Sequence, residues 1–292
     1  MITGVYPALI TPFTKDDKID FAALDRLIKL QLDNKVDGIV ALGTTAETPC
    51  LTDEEKHEII SFIKQKIKGK CKLIIGAGGN CTKTTVLQAK SYLKYEPDAF
   101  LVVTPYYNKP NKSGMIEHFR QISDLGIDIV LYHIPGRTGQ KLSVDLIEEL
   151  VKKAPGIKAV KEADYDPAHT LELTTRLADK ISILSGNDDM LLQLMSLGGK
   201  GIISAAANVL PHVFVELYKT KSFEIFTKAF PLIKACYHEV NPTCSKYILS
   251  KLGFCQEYVR LPLGLVDIEN KKKIDSVLAG YERSFLFGEF NG

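Results

Sequence analysis

Three consecutive stretches decide the fold: Asp128-Ile-Val-Leu-Tyr132, Ser143-Val144-Asp-Leu-Ile147-Glu-Glu-Leu-Val151, and Ile157-Lys158-Ala159-Val160. The first and third are short apolar runs rich in β-branched residues, the composition of a buried strand. Between them Val144, Ile147 and Val151 recur at helical spacing, and Ser143 is placed to cap that helix. A strand, a helix and a second strand of this length pair in parallel through a right-handed crossover. Outward from this unit the pattern repeats over residues 4–10, 38–42, 72–75, 99–103, 181–184 and 201–203. That gives eight strands whose starts lie about 20 to 34 residues apart.

Helical patterns fill the gaps. Phe21, Leu24, Ile28 and Leu32 form one apolar stripe, and Thr52-Asp53-Glu54-Glu55 is a capping box. Eight such units predict an α/β fold, a (β/α)8 TIM barrel. An open doubly wound sheet is the alternative. It places a Gly-rich phosphate loop after its first strand, where this chain has Thr11-Pro12-Phe13. After Lys221 the strand signals stop. Phe223, Phe226, Phe230 and Ile233 form one stripe, and Ile274, Val277, Tyr281 and Phe285 another. The expected organisation is a catalytic barrel over residues 1–224 and a C-terminal helical region over 225–292.

Composition narrows the function classes. The chain has 292 residues, 45% hydrophobic and 25% charged, with a net charge of +2. That is ordinary for a globular protein and excludes wholesale disorder. So small a charge gives no electrostatic basis for binding nucleic acid or an anionic membrane. No apolar run approaches the ~18 residues of a membrane span. The six cysteines include no C-x-x-C pair and no zinc-finger spacing, so they read as reduced, mostly buried thiols. The start, Met1-Ile-Thr-Gly-Val-Tyr-Pro7, lacks a basic region and does not resemble a signal peptide. A cytoplasmic location is expected, with no metal and no organic cofactor.

Chemistry in such a barrel belongs at the C-terminal strand ends. There the sequence places Thr44 and Thr45 after the second strand, Tyr106 and Tyr107 after the fourth, and Tyr132 and Arg137 at and after the fifth. Lys161 follows the sixth, Gly186 the seventh, and Ile203 ends the eighth. Side chains alternate along a strand, so Ile157, Ala159 and Lys161 share a face. If that face is the barrel interior, small Ala159 leaves room for the amine. Desolvation then favours the neutral form needed for Schiff-base chemistry. The plainer alternative is a strand-end lysine reaching into water. Arg137 offers a fork suited to a carboxylate, or is a surface arginine on a loop. Thr44, Tyr107 and Tyr132 are three hydroxyls able to pass a proton if linked, and ordinary polar groups if not. Glu47 and Glu162 are better placed to orient backbone amides than to do chemistry.

Four motifs carry a resemblance over nearly the whole chain. Gly43-Thr44-Thr45-Ala46-Glu47, Tyr106-Tyr107-Asn108-Lys109-Pro110, Tyr132-His133-Ile134-Pro135-Gly136-Arg137-Thr138 and Lys161-Glu162-Ala163 resemble the pyruvate-dependent class I aldolase and N-acetylneuraminate lyase family. Ser185-Gly186-Asn187-Asp188, Gly201-Ile202-Ile203-Ser204 and Leu261-Pro262-Leu263 match in order and spacing. The paired tyrosines and Arg137 are similar to the branch that condenses pyruvate with L-aspartate 4-semialdehyde. Its product is 4-hydroxy-tetrahydrodipicolinate, on the lysine and diaminopimelate route.

The resemblance implies that Lys161 forms the Schiff base with pyruvate and Tyr132 donates and accepts protons. Thr44 and Tyr107 complete the relay, with Tyr107 reaching in from a neighbouring subunit of a homotetramer built as a dimer of dimers. Thr45 and Ile203 hold pyruvate, Gly186 is a further substrate-binding position, and Arg137 holds the aldehyde's carboxylate. The chain departs from the family pattern at Ala46 for Gly, His133 for Asn, and Asp164-Tyr165 for a Ser or Thr followed by Gly. Lysine-sensitive members carry Glu at position 84 and an aromatic residue or His at 56. Thr84 and Lys56 stand there in this chain, which implies weak inhibition by lysine. The alternatives are a pyruvate aldolase acting on a sugar acid or related 2-keto acid, and a silent relative that senses a small keto acid.

Overall fold

A computed structural model of the chain describes residues 1–288. Eight strands form one parallel sheet: β1 Gly4–Pro7, β2 Gly38–Ala41, β3 Lys72–Gly76, β4 Ala99–Val103, β5 Ile129–His133, β6 Ile157–Glu162, β7 Ser182–Ser185 and β8 Gly201–Ser204. Their order is β1-β8-β7-β6-β5-β4-β3-β2. Ala8 bridges Val40 in parallel, and the Leu9 N–H donates to the Val40 carbonyl at 3.0 Å. That link returns the sheet to its start and makes the nearly closed (β/α)8 barrel that the repeat of strand and helix predicts.

The chain packs as two compact units. One comprises Met1–Gly4 and Lys72–Ile203 and holds β3 to β8. Its strands are buried and mainly apolar, with Ile129, Val130, Ala159, Val160, Ile183 and Ile202 at zero exposure. Burial on both faces is what a parallel sheet demands of its strands. The second unit comprises Val5–Cys71 and the chain from Ser204 onward. It carries β2, the helices Phe21–Asp33 and Asp53–Ile67, and the C-terminal helices Phe223–Ala235, Thr243–Lys251, Ile268–Leu278 and Arg283–Phe287.

Local signals hold in detail. Thr52 Oγ1 accepts from the Glu55 N–H at 3.2 Å, and Glu55 Oε2 accepts from the Thr52 N–H at 2.9 Å, the reciprocal capping box. Ser143 caps its helix through the Leu146 N–H at 3.2 Å.

Four expectations change. The first strand stops at Pro7 rather than residue 10, because Pro7 has no N–H for the ladder and only the Ala8 bridge follows. The fifth and sixth strands run further, so that His133, Lys161 and Glu162 lie within them. Of the Phe223 stripe only Ile233 is buried: Phe223 is 71% exposed and Phe230 39%, while Ala229, Leu232 and Ala235 join Ile233 in the core. The Ile274 stripe crosses a helix break, since one helix ends at Leu278 and the next begins at Arg283. Of the six thiols, Cys236, Cys244 and Cys255 are buried, Cys50 and Cys71 are half-buried, and Cys81 is exposed.

Candidate functional site

Strand β6 delivers Lys161 by simple alternation. Lys158 is exposed on one side, while Ile157, Ala159 and Lys161 are buried on the other. In the β5/β6 register Tyr132 lies opposite Lys161, and the Lys161 Nζ sits 4.2 Å above the centroid of the Tyr132 ring. Burial lowers the Lys161 pKa from 10.5 to about 8. Asp188 opposes that shift and the Arg137 charge adds to it. A lysine tuned toward neutrality on a strand end is the arrangement an amine nucleophile needs.

Gly186 lies beside it. A Cβ there would fall 2.7 Å from the Ala163 Cβ and 3.1 Å from the Lys161 Cε, so any side chain would collide with Ala163 and crowd the lysine. Ile203 is fully buried in β8. Arg137 is exposed and sits in a single helical turn, Pro135–Thr138, ended by Gly139 at φ 68°. The sequence suggests a loop here. Pro135 at the first helical position instead starts a turn of helix.

Tyr107 stands apart. It is 90% exposed and its backbone takes a φ of +71°, an uncommon conformation for a bulky residue. Tyr106 before it is 39% exposed.

In the second unit the turn after β2, Thr44–Ala46, carries the two threonines. Thr44 is half-buried; Thr45 is buried, and its Oγ1 accepts from Asn241 Nδ2 at 2.9 Å. Glu47, at φ +55°, closes the turn. Its buried carboxylate takes the Lys246 ammonium on one oxygen and the Arg260 N–H on the other at 2.8 Å. Lys246 also donates to the Tyr258 carbonyl at 2.9 Å and lies 4.1 Å over the Phe13 ring. Arg260 in turn holds Glu55 and Asp17. A left-handed glutamate anchored by one buried ammonium and one backbone N–H fixes the threonine turn rigidly. Glu47 and Glu162 both accept backbone N–H groups, the role the sequence suggests for them.

Sequence reasoning missed the partners of these groups, Lys246, Asn241, Arg260 and His169. Lys246 left one signal: an ionisable residue in an otherwise apolar helical stretch, Tyr247-Ile248-Leu249. His133, Glu162 and His169 bring three candidate ligand atoms within 4.8 Å of one another. The Leu142 N–H donates to His133 Nε2 at 3.1 Å, which leaves the ring hydrogen on Nδ1, facing Glu162. A hydrogen, not a lone pair, then points where an ion would sit, so the cluster fits a hydrogen-bond network better than a metal.

A barrel that desolvates one lysine against a tyrosine at a strand end belongs to the class of (β/α)8 enzymes built around an amine nucleophile. Sequence comparison gives the particular family: the chain belongs to the dihydrodipicolinate synthetase family, which matches residues 1–280. It is 40% identical over 286 residues to the 4-hydroxy-tetrahydrodipicolinate synthase of Methanocaldococcus jannaschii, spanning 95% of this chain and 98% of the relative. It is 38% identical to the synthase of the same name from Aquifex aeolicus, spanning 96% and 98%. Among solved structures it is similar to the dihydrodipicolinate synthase from Aquifex aeolicus, with a TM-score of 0.92 and 36% identity over 98% of this chain and 99% of that one. A dihydrodipicolinate synthase from Thermotoga maritima also gives 0.92, with 33% identity over 96% and 98%. No helix among the described residues is long and apolar enough to cross a membrane.

Proposed function

We propose that this chain is a lyase that condenses pyruvate with L-aspartate 4-semialdehyde to give 4-hydroxy-tetrahydrodipicolinate, on the route to diaminopimelate and lysine. The observation that carries it is the buried Lys161 amine over Tyr132, with its pKa lowered to about 8.

In the proposed mechanism the neutral Lys161 amine adds to the pyruvate ketone. The carbinolamine loses water to an iminium, which acts as an electron sink. Loss of a methyl proton gives an enamine that attacks the aldehyde carbon. The aldehyde's own amine then displaces Lys161 by transimination, closing the ring. Tyr132 is the proton donor and acceptor, with Thr44 and Tyr107 completing the relay. Thr45, Ile203 and Gly186 shape the pyruvate pocket, and Arg137 holds the aldehyde's carboxylate. No metal or organic cofactor takes part.

Residues 1–224 form the catalytic barrel in this proposal and 225–292 a helical region attached to it. Tyr107, an exposed aromatic in a strained backbone conformation, supports a site completed across a subunit boundary. The proposed assembly is a homotetramer, a dimer of dimers, in the cytoplasm. Inhibition by L-lysine is weak: the Thr84 hydroxyl turns back to the Cys81 carbonyl at 3.0 Å, and Lys56 is paired with Asp53 at 2.9 Å. Neither offers a carboxylate for an ammonium ligand.

Borohydride reduction in the presence of pyruvate tests the covalent step. The peptide bearing Lys161 should gain the mass of reduced pyruvate, and Lys161→Ala should lose it together with turnover. An active preparation whose Lys161 stays unmodified would refute the proposal.

A further inference from the structure

Beside Lys161 three buried ionisable side chains meet. His133 comes from β5, Glu162 from β6 and His169 from the helix Pro167–Leu177. His133 Nδ1 lies 3.0 Å from each oxygen of Glu162, and His169 Nδ1 lies 3.6 Å from Oε2. Both rings contact one further residue. The Leu142 N–H donates to His133 Nε2 at 3.1 Å, and the Leu142 carbonyl accepts from His169 Nε2 at 3.0 Å. These two contacts assign the hydrogens, because an amide N–H only donates and a carbonyl only accepts. His133 therefore carries its hydrogen on Nδ1 and gives it to Glu162. His169 carries one on Nε2.

The network reaches the loops. Glu162 Oε1 accepts the Asp164 N–H at 2.7 Å. Lys141, next to Leu142, holds the Asp164 carboxylate at 2.8 Å and that of Asp166 at 2.7 Å. His133 and Asp164, two of the positions that depart from the family pattern, thus belong to one connected set. In the β5/β6 register Tyr132 pairs with Lys161, and His133 pairs with Glu162 one step later. Alternation puts the first pair on one face and the second on the other.

We infer that His133, Glu162 and His169 are positioning residues for Lys161 and Tyr132: their hydrogen bonds lock the ends of β5 and β6 so that the amine stays over the ring. The inference rests on the Schiff-base proposal, since it needs Lys161 to be the nucleophile. The essential element is the donor: the His133 Nδ1–H binds Glu162, and an asparagine side chain at the same place can supply an N–H to it.

The test is the rate of borohydride trapping at saturating pyruvate and pH 8, with the KM for pyruvate measured beside it. His133→Asn keeps a donor for Glu162 and should trap within about threefold of the parent. His133→Ala should trap at least about tenfold more slowly with little change in KM, the signature of a displaced rather than a lost nucleophile.

A His133→Ala protein that traps at the parental rate overturns the inference, as does a His133→Asn protein that traps as slowly as His133→Ala. If His133→Ala does not fold, His133→Leu, which fills the space without a donor, is read in its place, and parental trapping by it overturns the inference. Stoichiometric Zn²⁺ binding that Glu162→Gln abolishes would assign the cluster to a metal and also overturn it. Absence of trapping in the parent refutes the Schiff-base proposal, and the inference falls with it.

Discussion

Replacing Lys161 with Met should make the protein more stable at neutral pH, and the gain should disappear in alkali. Lys161 is 6% exposed, and burial is the largest cause of its lowered pKa. A fall from 10.5 to about 8 corresponds to about 3 kcal/mol of preference against the ammonium in the folded state. The Tyr132 ring, 4.2 Å away, offsets up to about 2 kcal/mol of that through its negative face. The remainder is about 1–3 kcal/mol. Methionine fills similar space with no charge to desolvate.

The penalty on Lys161 is fully present below pH 8, where both folded and unfolded states hold an ammonium. It is relieved between about 8 and 10.5, where the unfolded chain still binds the proton and the folded one has lost it. Above 10.5 both amines are neutral and no penalty remains. Urea denaturation at pH 7 should show the variant's midpoint raised by a few tenths of a molar or more. At pH 11 the difference should shrink to whatever packing alone supplies. A variant less stable than the parent at pH 7, or one whose advantage is the same at both values, would refute the claim that Lys161 is held under desolvation. The same shift works for chemistry: at pH 7 about one amine in ten is neutral, against about one in three thousand at the ordinary value. Stability is lost where reactivity is gained.

Arg137→Ala should raise the KM for L-aspartate 4-semialdehyde about 10- to 100-fold and leave that for pyruvate within a few-fold, because charge-assisted bonds contribute about 1.5–3 kcal/mol. Equal effects on both substrates would remove that role. Lys246→Met should destabilise by about 3–5 kcal/mol, since the buried Glu47 loses its ammonium, and Glu47→Gln added to it should recover much of the loss. A double variant no more stable than the single would refute the buried-pair account. Subunits bearing Tyr107→Phe and Lys161→Ala, each nearly inactive, should regain activity when refolded together, since a mixed pair restores one complete site. Failure to complement would remove the shared site.

What the sequence reveals and what it hides follow from the range of the signals. The barrel was legible because each strand and helix writes its own period, and eight repeats of the pair admit few topologies. Lys161 was legible for the same reason: alternation along six residues of β6 places it with Ala159, not with Lys158. The Phe223 stripe was misread because its helix is apolar on more than one side. Periodicity finds an apolar face but does not say which of two faces turns inward, and Ala229, Leu232 and Ala235 took the core beside Ile233, the one stripe residue buried there. The supports of the site were illegible altogether. Lys246 lies 199 residues from Glu47, and Asn241 lies 196 from Thr45.

Nothing local marks such pairs, because a buried ion pair is defined by what the fold brings together and not by any spacing along the chain. The His133 cluster shows the same limit at shorter range. His133 and Glu162 lie 29 residues apart, and alternation alone puts them opposite the face that carries Lys161. What makes them chemically interesting is the single amide of Leu142, whose N–H and carbonyl set the hydrogens on two rings. A backbone group carries no sequence signature, so the tautomers emerge only when the loop is in place. The departures at His133 and Asp164, which as isolated letters look like drift from a pattern, lie in one hydrogen-bonded set: Lys141 holds the Asp164 carboxylate, and the next residue, Leu142, gives its N–H to His133.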